Sequence, residues 1–195
     1  MKPRKKQILN TAAKLFKKRG YSAVTMRDLA EALNMKAASL YNHISSKQEL
    51  LATLIISLAE TFTQQMQNIL EQDSTSIQKI KNLIDLHIDL TLQNPDAMAC
   101  LNNDWMHLEE QLPYFIKMRQ DYENQFKKLI AEGISQKQLS GRNPEILLFS
   151  LLTTLRSLPI WLPKKSSLEN RQLKKELRQS LLYGIVKIDI KYTQE

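Results

Sequence analysis

Apolar residues recur along this chain at spacings of three and four, the period of an amphipathic helix, and no segment reads as a strand. The pattern predicts an all-α protein of about nine helices. A first helix spans Pro3 to Arg19, with Ile8, Ala12, Leu15 and Phe16 on one face and Gly20 as its stop. A second begins behind Thr25, whose hydroxyl caps it while Asp28 closes a capping box, and it turns Leu29, Ala30 and Leu33 inward. A turn at Asn34 and Met35 leads to a third helix over Ala37 to Ile44, anchored by Leu40 and Ile44. Ser46 and Glu49 form a second capping box, which opens a long fourth helix through Leu50, Leu51, Leu54, Leu58 and Phe62 to about Glu71.

Five further helical segments follow, without repeats or low-complexity stretches. The fifth runs from about Thr75 to Gln93 with Ile77, Ile80, Ile84 and Ile88 inward, and a short sixth starts near Pro95. The seventh starts near Pro113, buries Phe115, Met118, Tyr122, Phe126 and Leu129, and ends at Gly133 or the Gly141 region. The eighth, roughly Pro144 to Leu158, is apolar nearly all round, which predicts cover on more than one side. The ninth, Leu168 to about Lys187, lines up Leu173, Leu177, Leu181, Gly184 and Ile188. Prolines fall at or near the ends of these segments and never in the middle of one.

Composition narrows the function. At 195 residues, with 43% apolar and 25% charged, the chain has the make-up of one or two ordinary globular domains. No window of eighteen residues lacks a charge, so no membrane span is expected, and the basic start Met1 to Lys6 leads into an amphipathic pattern unlike a secretory signal. The lone Cys100 excludes an internal disulfide, and together these features predict a cytoplasmic protein. None of the four glycines has the spacing of a phosphate-cradling loop, which excludes nucleotide chemistry of those kinds. No nucleophile, base and orienting group assemble from local motifs, so no catalytic residue and no enzyme activity is expected. His87, His107, Cys100, Asp104 and Glu109 show no zinc spacing, so no metal or other cofactor is expected either.

The net charge of +8 is unevenly placed. The first fifty residues hold eleven of the 28 Lys and Arg but three of the 20 Asp and Glu, so the whole excess lies there and the remainder is neutral. A compact basic segment attracts a polyanion, nucleic acid or an anionic membrane surface. Three short helices and a capped long one inside that segment have the layout of a helix-turn-helix unit. Ala30 permits close approach of the second and third helices, and Asn34 tolerates a left-handed turn. The outward face of the third helix presents Lys36, Ala37, Ala38, Ser39, Asn42 and His43, small or hydrogen-bonding groups suited to a DNA groove.

From Arg4 to about Leu54 the sequence resembles the TetR/AcrR family of transcriptional regulators. The resemblance is carried by residues 8–16 (ILNTAAKLF), 20–30 (GYSAVTMRDLA) and 40–51 (LYNHISSKQELL). Carried over by position, Thr25, Tyr41, His43 and Lys47 look like phosphate contacts, and Lys36, Ala37, Ala38, Ser39, Tyr41 and Asn42 look like the base-reading surface. Thr25 and Lys47 also stand at expected helix N-termini, which favour phosphate. Asn34 and Met35 replace the usual Gly-Val, and Ile44 stands where Phe is more frequent, changes to turn chemistry and core volume that leave the DNA contacts in place.

The resemblance implies a helix-turn-helix DNA-binding domain over 1–62 and a C-terminal domain over 63–195 for dimerisation and effector binding. Its function would be that of a sequence-specific regulator, most often a repressor, released by a small molecule. The near-uniformly apolar eighth helix beside the striped ninth independently suggests a homodimer through helices 8 and 9, where Ser180 and Gly184 allow close approach. Two recognition helices would then face an inverted-repeat operator on double-stranded DNA, with half-sites about 34 to 36 Å apart. Candidate pocket residues are Phe62, Met66, Met98, Cys100, Trp105, His107, Phe115, Met118, Tyr122, Phe126 and Trp161, a mixture suited to a mainly apolar ligand with a polar handle. The same residue types at helical spacing also serve as plain core. Tyr114 to Gly133, Gly141 and Trp161 to Pro163 resemble family members that respond to acyl-CoA or other lipid-derived acids. A competing reading is a small helical enzyme or lipid-binding protein with a basic surface, which leaves Thr25, Tyr41 and Lys47 unexplained.

Overall fold

Short capped helices at the N-terminus lead into long ones. The computed structural model describes residues 3–162 and 169–184, with no strand among the described residues. In chain order the helices are α1 (Pro3–Arg19), α2 (Met26–Ala32), α3 (Ala37–Tyr41), α4 (Lys47–Leu70), α5 (Ser76–Gln93), α6 (Pro95–Asn103), α7 (Leu112–Ser135), α8 (Pro144–Trp161) and α9 (Asn170–Tyr183). Two single 3-10 turns, Trp105–His107 and Glu109–Gln111, join α6 to α7.

Local chemistry explains most boundaries. α1 stops because Gly20 takes φ +80° and donates its N–H to the Phe16 carbonyl at 2.7 Å. α2 starts at a complete capping box. The Asp28 N–H donates to Thr25 Oγ1 at 3.2 Å, and the Thr25 N–H donates to Asp28 Oδ2 at 2.7 Å. Asn34 takes φ +50°, as its place in the turn predicts.

Other boundaries differ from the expectation. α3 ends at Tyr41 instead of Ile44, because the chain must leave the helix before the extended Ser46 cap. The turn keeps Ile44 buried, with the His43 and Ile44 N–H groups both donating to the Leu40 carbonyl. At α4 the Ser46 hydroxyl accepts from the Glu49 N–H at 3.0 Å, but the box does not close on Ser46. The Glu49 carboxylate accepts instead from the Ser45 N–H and hydroxyl, each at 2.8 Å, and from Lys5. α7 runs to Ser135, past Gly133, whose hydrogen leaves room for Leu139: a Cβ there would meet Leu139 Cδ1 at 2.8 Å. α8 continues through Pro159 to Trp161, since a proline in the last turn removes one bond without stopping the helix. Gly184 takes φ +77° and caps α9, so it ends that helix and is not part of its stripe. The expected start at Leu168 and the positions Lys187 and Ile188 lie outside the described residues.

The buried residues form two clusters. One gathers Ile8, Ala12, Phe16, Val24, Leu29, Leu40 and Ile44 with Leu50, Leu51, Leu54 and Ile55 of α4. The other gathers Leu58, Phe62, Met66 and Ile69 of α4 with the inner faces of α5, α7 and α8. α4 thus belongs to both, changing cluster after Ile55. The first cluster also takes Cys100 from α6, Leu108, and Phe115 from α7, so the N-terminal head is completed by residues distant in sequence. α8 buries Leu148, Leu151, Leu152, Leu155 and Leu158, while Ile146, Phe149 and Ile160 stand more than half exposed. Within the single chain, therefore, α8 is covered on one side and not on several.

Candidate functional site

The exposed residues of the head form one surface. Lys36, Ala38, Ser39, Tyr41, Asn42 and His43 are exposed on and just after α3, Ala37 is half-buried, and Leu40 and Ile44 hold this element to the core. Thr25 is exposed at the start of α2, next to Arg27. Hydrogen bonds from Thr25 and Arg19 pull the Asp28 carboxyl down to about 2, so the cap carries its charge at neutral pH. Three head cations are matched by carboxylates, Lys5 to Glu49, Arg19 to Asp28 and Lys17 to Asp96. Lys6, Lys14, Lys18, Arg27 and Lys36 are all exposed, so the surface stays strongly positive.

Lys47 stands at the start of α4, as its position suggests, and its ammonium is engaged within the chain. Its ammonium donates to the carbonyls of Tyr21 at 3.0 Å and Val24 at 2.9 Å and lies 4.2 Å from the Tyr21 ring centroid. It ties the loop before α2 to the start of α4, and a phosphate would have to compete with those carbonyls for it. Tyr21 is the centre of this junction. Its N–H donates to Asp104 Oδ1 at 3.4 Å, its hydroxyl donates to Gln48 Oε1 at 2.6 Å, and its ring stacks on His107 at 5.2 Å. Gln48 in turn donates to the His107 carbonyl at 2.7 Å. Burial raises the Asp104 carboxyl above its usual value.

The body contains a cavity of about 160 Å³ between α4, α5, α6, α7 and α8. Of the expected pocket residues, Phe62, Met98, Phe115, Met118 and Tyr122 line it. Six do not. Met66 and Phe126 are plain core, both nearly inaccessible. Cys100 is on the side of α6 facing α1, its thiol 3.7 Å from the Ala13 carbonyl. His107 stacks on Tyr21 in the junction, and Trp105 stands behind the wall, 5.8 Å from the Phe115 ring. Trp161 is at the end of α8, partly exposed and away from the lining. Burial pushes the Cys100 thiol up to about 12, which leaves it without the thiolate a redox sensor needs.

The wall also includes Ala59, Thr63, His87, Leu101, Asn102, Arg119 and Arg156, residues the periodicity does not single out. His87 and Tyr122 share a hydrogen bond of 2.9 Å between Nε2 and the hydroxyl, while His87 Nδ1 is buried without a partner. Burial, with the charge of Arg156 added, lowers His87 to about 3, so it is a neutral imidazole. Arg156 donates to Glu123 Oε1 at 2.6 Å and Arg119 to the same oxygen at 3.2 Å. Burial opposes ionisation of Glu123, and these two cations outweigh it, holding its carboxyl below the usual value. Arg156 did leave a trace in the sequence, as the lone charge between Glu145 and Lys164 in an apolar stretch. Among the described residues no cluster of His, Cys, Asp and Glu could hold a metal ion, and no helix is long and apolar enough to cross a membrane.

Comparison with known proteins matches both halves of the chain. Residues 8–54 fit the model for bacterial regulatory proteins of the tetR family, and residues 73–185 fit that for the tetracyclin repressor-like C-terminal domain. The HTH-type transcriptional repressor KstR2 of Rhodococcus jostii (strain RHA1) is 23% identical over 133 residues, which cover 67% of this chain and 65% of that protein. With KstR2 of Mycolicibacterium smegmatis the shared part is 54% of the relative, so the chain spans less than two thirds of the length of these curated proteins. The structure of KstR2 of Mycobacterium tuberculosis superposes with a TM-score of 0.87 at 18% identity, covering 96% of this chain and 97% of that one. AibR in complex with isovaleryl coenzyme A and operator DNA gives 0.76 at 20% identity, covering 92% and 98%. These two structures show the shared fold, and the C-terminal match alone spans more than half of the sequence. The chain belongs to the tetR family of bacterial regulatory proteins.

Proposed function

We propose that this protein is a sequence-specific DNA-binding transcriptional regulator, a homodimeric repressor released from an inverted-repeat operator by a small, mainly apolar ligand. The observation that carries the reading is the exposed row on α3, set in the first fifty residues, which hold the whole +8 net charge. Lys36, Ala37, Ala38, Ser39, Tyr41 and Asn42 read bases, and Thr25, Tyr41 and His43 contact phosphate. Lys47 acts mainly by fixing the loop that carries Thr25. The reading head is assigned to 1–62 and the sensing and dimerising body to 63–195. The dimer forms through the outward side of α8, where Ile146, Phe149 and Ile160 are exposed, together with α9, which Lys174 and Arg178 hold against Asp89 and Asp85 of α5. The protein works in the cytoplasm, where its DNA is.

Release follows from shared elements. α6 contributes Met98, Leu101 and Asn102 to the cavity wall, while its Asp96 and Cys100 touch Lys17 and Ala13 of α1. α4 contributes Ala59, Phe62 and Thr63 to the wall, while its N-terminus holds Tyr21 and Val24 through Lys47. A ligand that favours a shifted α6 and α4 moves the two recognition helices off their spacing, provided it binds that state more tightly than the DNA-bound one. A protein of the same fold has been solved in complex with isovaleryl coenzyme A and operator DNA, which supports a fold that takes both kinds of partner.

An electrophoretic mobility-shift experiment on the DNA upstream of the chain's own coding region tests the reading. Binding is expected to fall with salt by about 0.9 in log K per log salt for each phosphate contact. Lys36→Ala combined with Tyr41→Ala is expected to abolish the shift while the dimer survives in sedimentation. Unchanged affinity in that double variant rejects the assignment.

A further inference from the structure

The cavity has a one-sided charge. Arg119 and Arg156 are the charged residues of its lining, and no carboxylate lines it. Behind the wall a single oxygen of Glu123 accepts from both guanidiniums. Two positive charges thus meet one negative charge, beside a wall whose apolar part includes Phe62, Met98, Met118 and Phe115 and whose neutral polar part includes Thr63, His87, Asn102 and Tyr122. Both guanidiniums are about one-third exposed, so an anion entering there gains charge-assisted hydrogen bonds that solvent partly screens. A second group in the wall also lacks a partner, since Nδ1 of His87 is buried without a hydrogen bond. Size sets the other limit. A cavity of about 160 Å³ compares with the roughly 150 Å³ apolar cavity known to hold benzene, so the part of the ligand seated within it has about six to eight heavy atoms.

We propose that the cavity binds a small monocarboxylate, with its compact apolar body among Phe62, Met98 and Met118 and its carboxylate on Arg156 and Arg119. This rests on the effector role given to the cavity above and names the chemical class it selects. Glu123 is then a competitor for the arginines that the ligand's carboxylate must share or displace. It sets affinity from outside the cavity.

Calorimetric titration of the full chain without DNA tests this, using cyclohexanecarboxylate, the neutral cyclohexanecarboxamide, and decanoate as probes. The acid is expected to bind about tenfold or more tightly than the amide, the worth of one charge-assisted hydrogen bond. Arg156→Gln is expected to remove that difference. Because this variant also breaks an ion pair, Glu123→Gln supplies a test that misfolding cannot mimic: freeing both guanidiniums is expected to tighten the acid and leave the amide unchanged. Equal binding of acid and amide, failure of Glu123→Gln to tighten the acid, absence of acid binding at millimolar concentration, or decanoate binding more than tenfold tighter than the cyclic acid would each overturn the proposal. A mobility shift with the same probes separates it from the effector role. An acid that binds yet leaves the DNA complex intact removes the effector role and keeps the carboxylate site. Release of DNA by the amide alone does the reverse.

Discussion

Around Ala12, Phe16, Leu29 and Leu50 the head is packed with buried apolar side chains, and the polar groups of α3 are turned outward. Around Phe62, Tyr122 and Arg156 the body keeps a cavity, and it turns an imidazole, a phenol and two guanidiniums toward its own interior. The two regions use helices of different kinds for this. α2 and α3 are seven and five residues long and hold their shape through the Thr25 and Asp28 box, the Asn34 turn and the buried anchors Leu40 and Ile44. α4 and α7 are each 24 residues long and owe their stability to packing along their length. A surface that must match DNA calls for fixed geometry, whereas a site that must respond to a small molecule calls for space and unsatisfied polarity. Under the proposed function, the difference between the halves follows from those two demands.

The sharpest challenge to the comparison comes from deleting one core ring in each half. Phe16→Ala and Phe126→Ala remove side chains with essentially no exposure, and each is expected to cost about 3–5 kcal/mol in urea denaturation. Both variants should still unfold in one transition, since α4 and α6 enter both clusters. Two separated transitions would break the picture of halves that share an interior.

Enlarging an alanine probes the packing contrast directly. Ala12→Leu in the filled head is expected to cost about 1–3 kcal/mol. Ala59→Leu, which projects into the cavity, is expected to cost nothing or to stabilise by about 0.5–2 kcal/mol, and to abolish effector binding. Equal penalties in the two variants would show that the body is packed as tightly as the head.

Between pH 6.5 and about 4.5, above the range in which the head's Asp28 and Glu49 titrate when unfolded, acid sensitivity should belong to the body. His87 is held near 3 when folded and titrates near 6.5 when unfolded, so below pH 6.5 the unfolded chain binds the extra proton. Its contribution is fully present above pH 6.5 and is lost as pH falls toward 3, by at most about 1.4 kcal/mol for each pH unit. Thermal melts of the protein and of His87→Gln should converge in slope only above pH 6.5. If the variant keeps the full acid slope, the buried imidazole is not its source. The smallest effect on stability is expected at the head surface, where Lys36→Ala should shift unfolding by no more than about 0.5 kcal/mol while weakening DNA binding. A large loss of stability there would mean that the exposed row on α3 is structural.

How much of this was legible in the sequence depended on whether the cause was local. The bounds of α1, the Thr25 cap and the left-handed Asn34 rest on chemistry within a few residues, and the pattern reveals them. The closure of the Ser46 cap was missed because Ser45, one residue earlier, offers Glu49 both a backbone N–H and a hydroxyl. The cavity was harder for a physical reason. Phe126 and Tyr122 share one stripe of α7, and only the placement of neighbouring helices makes one of them core and the other wall. Cys100 and Leu101 are adjacent on α6, yet only Leu101 reaches the cavity wall. Arg156 was the readable exception, a solitary cation in an apolar helix, because a charge in such a place needs a partner, and Glu123 is that partner.

The inert thiol of Cys100 has a practical consequence. The sequence contains no other cysteine, and this one is inaccessible and held protonated well above neutral pH. Ser39→Cys on the exposed side of α3 would therefore introduce the single thiol that labelling reagents reach. A nitroxide attached there would turn the distance between the two reading helices of the proposed dimer into a directly measured spectrum, recorded on the native background with no cysteine removed.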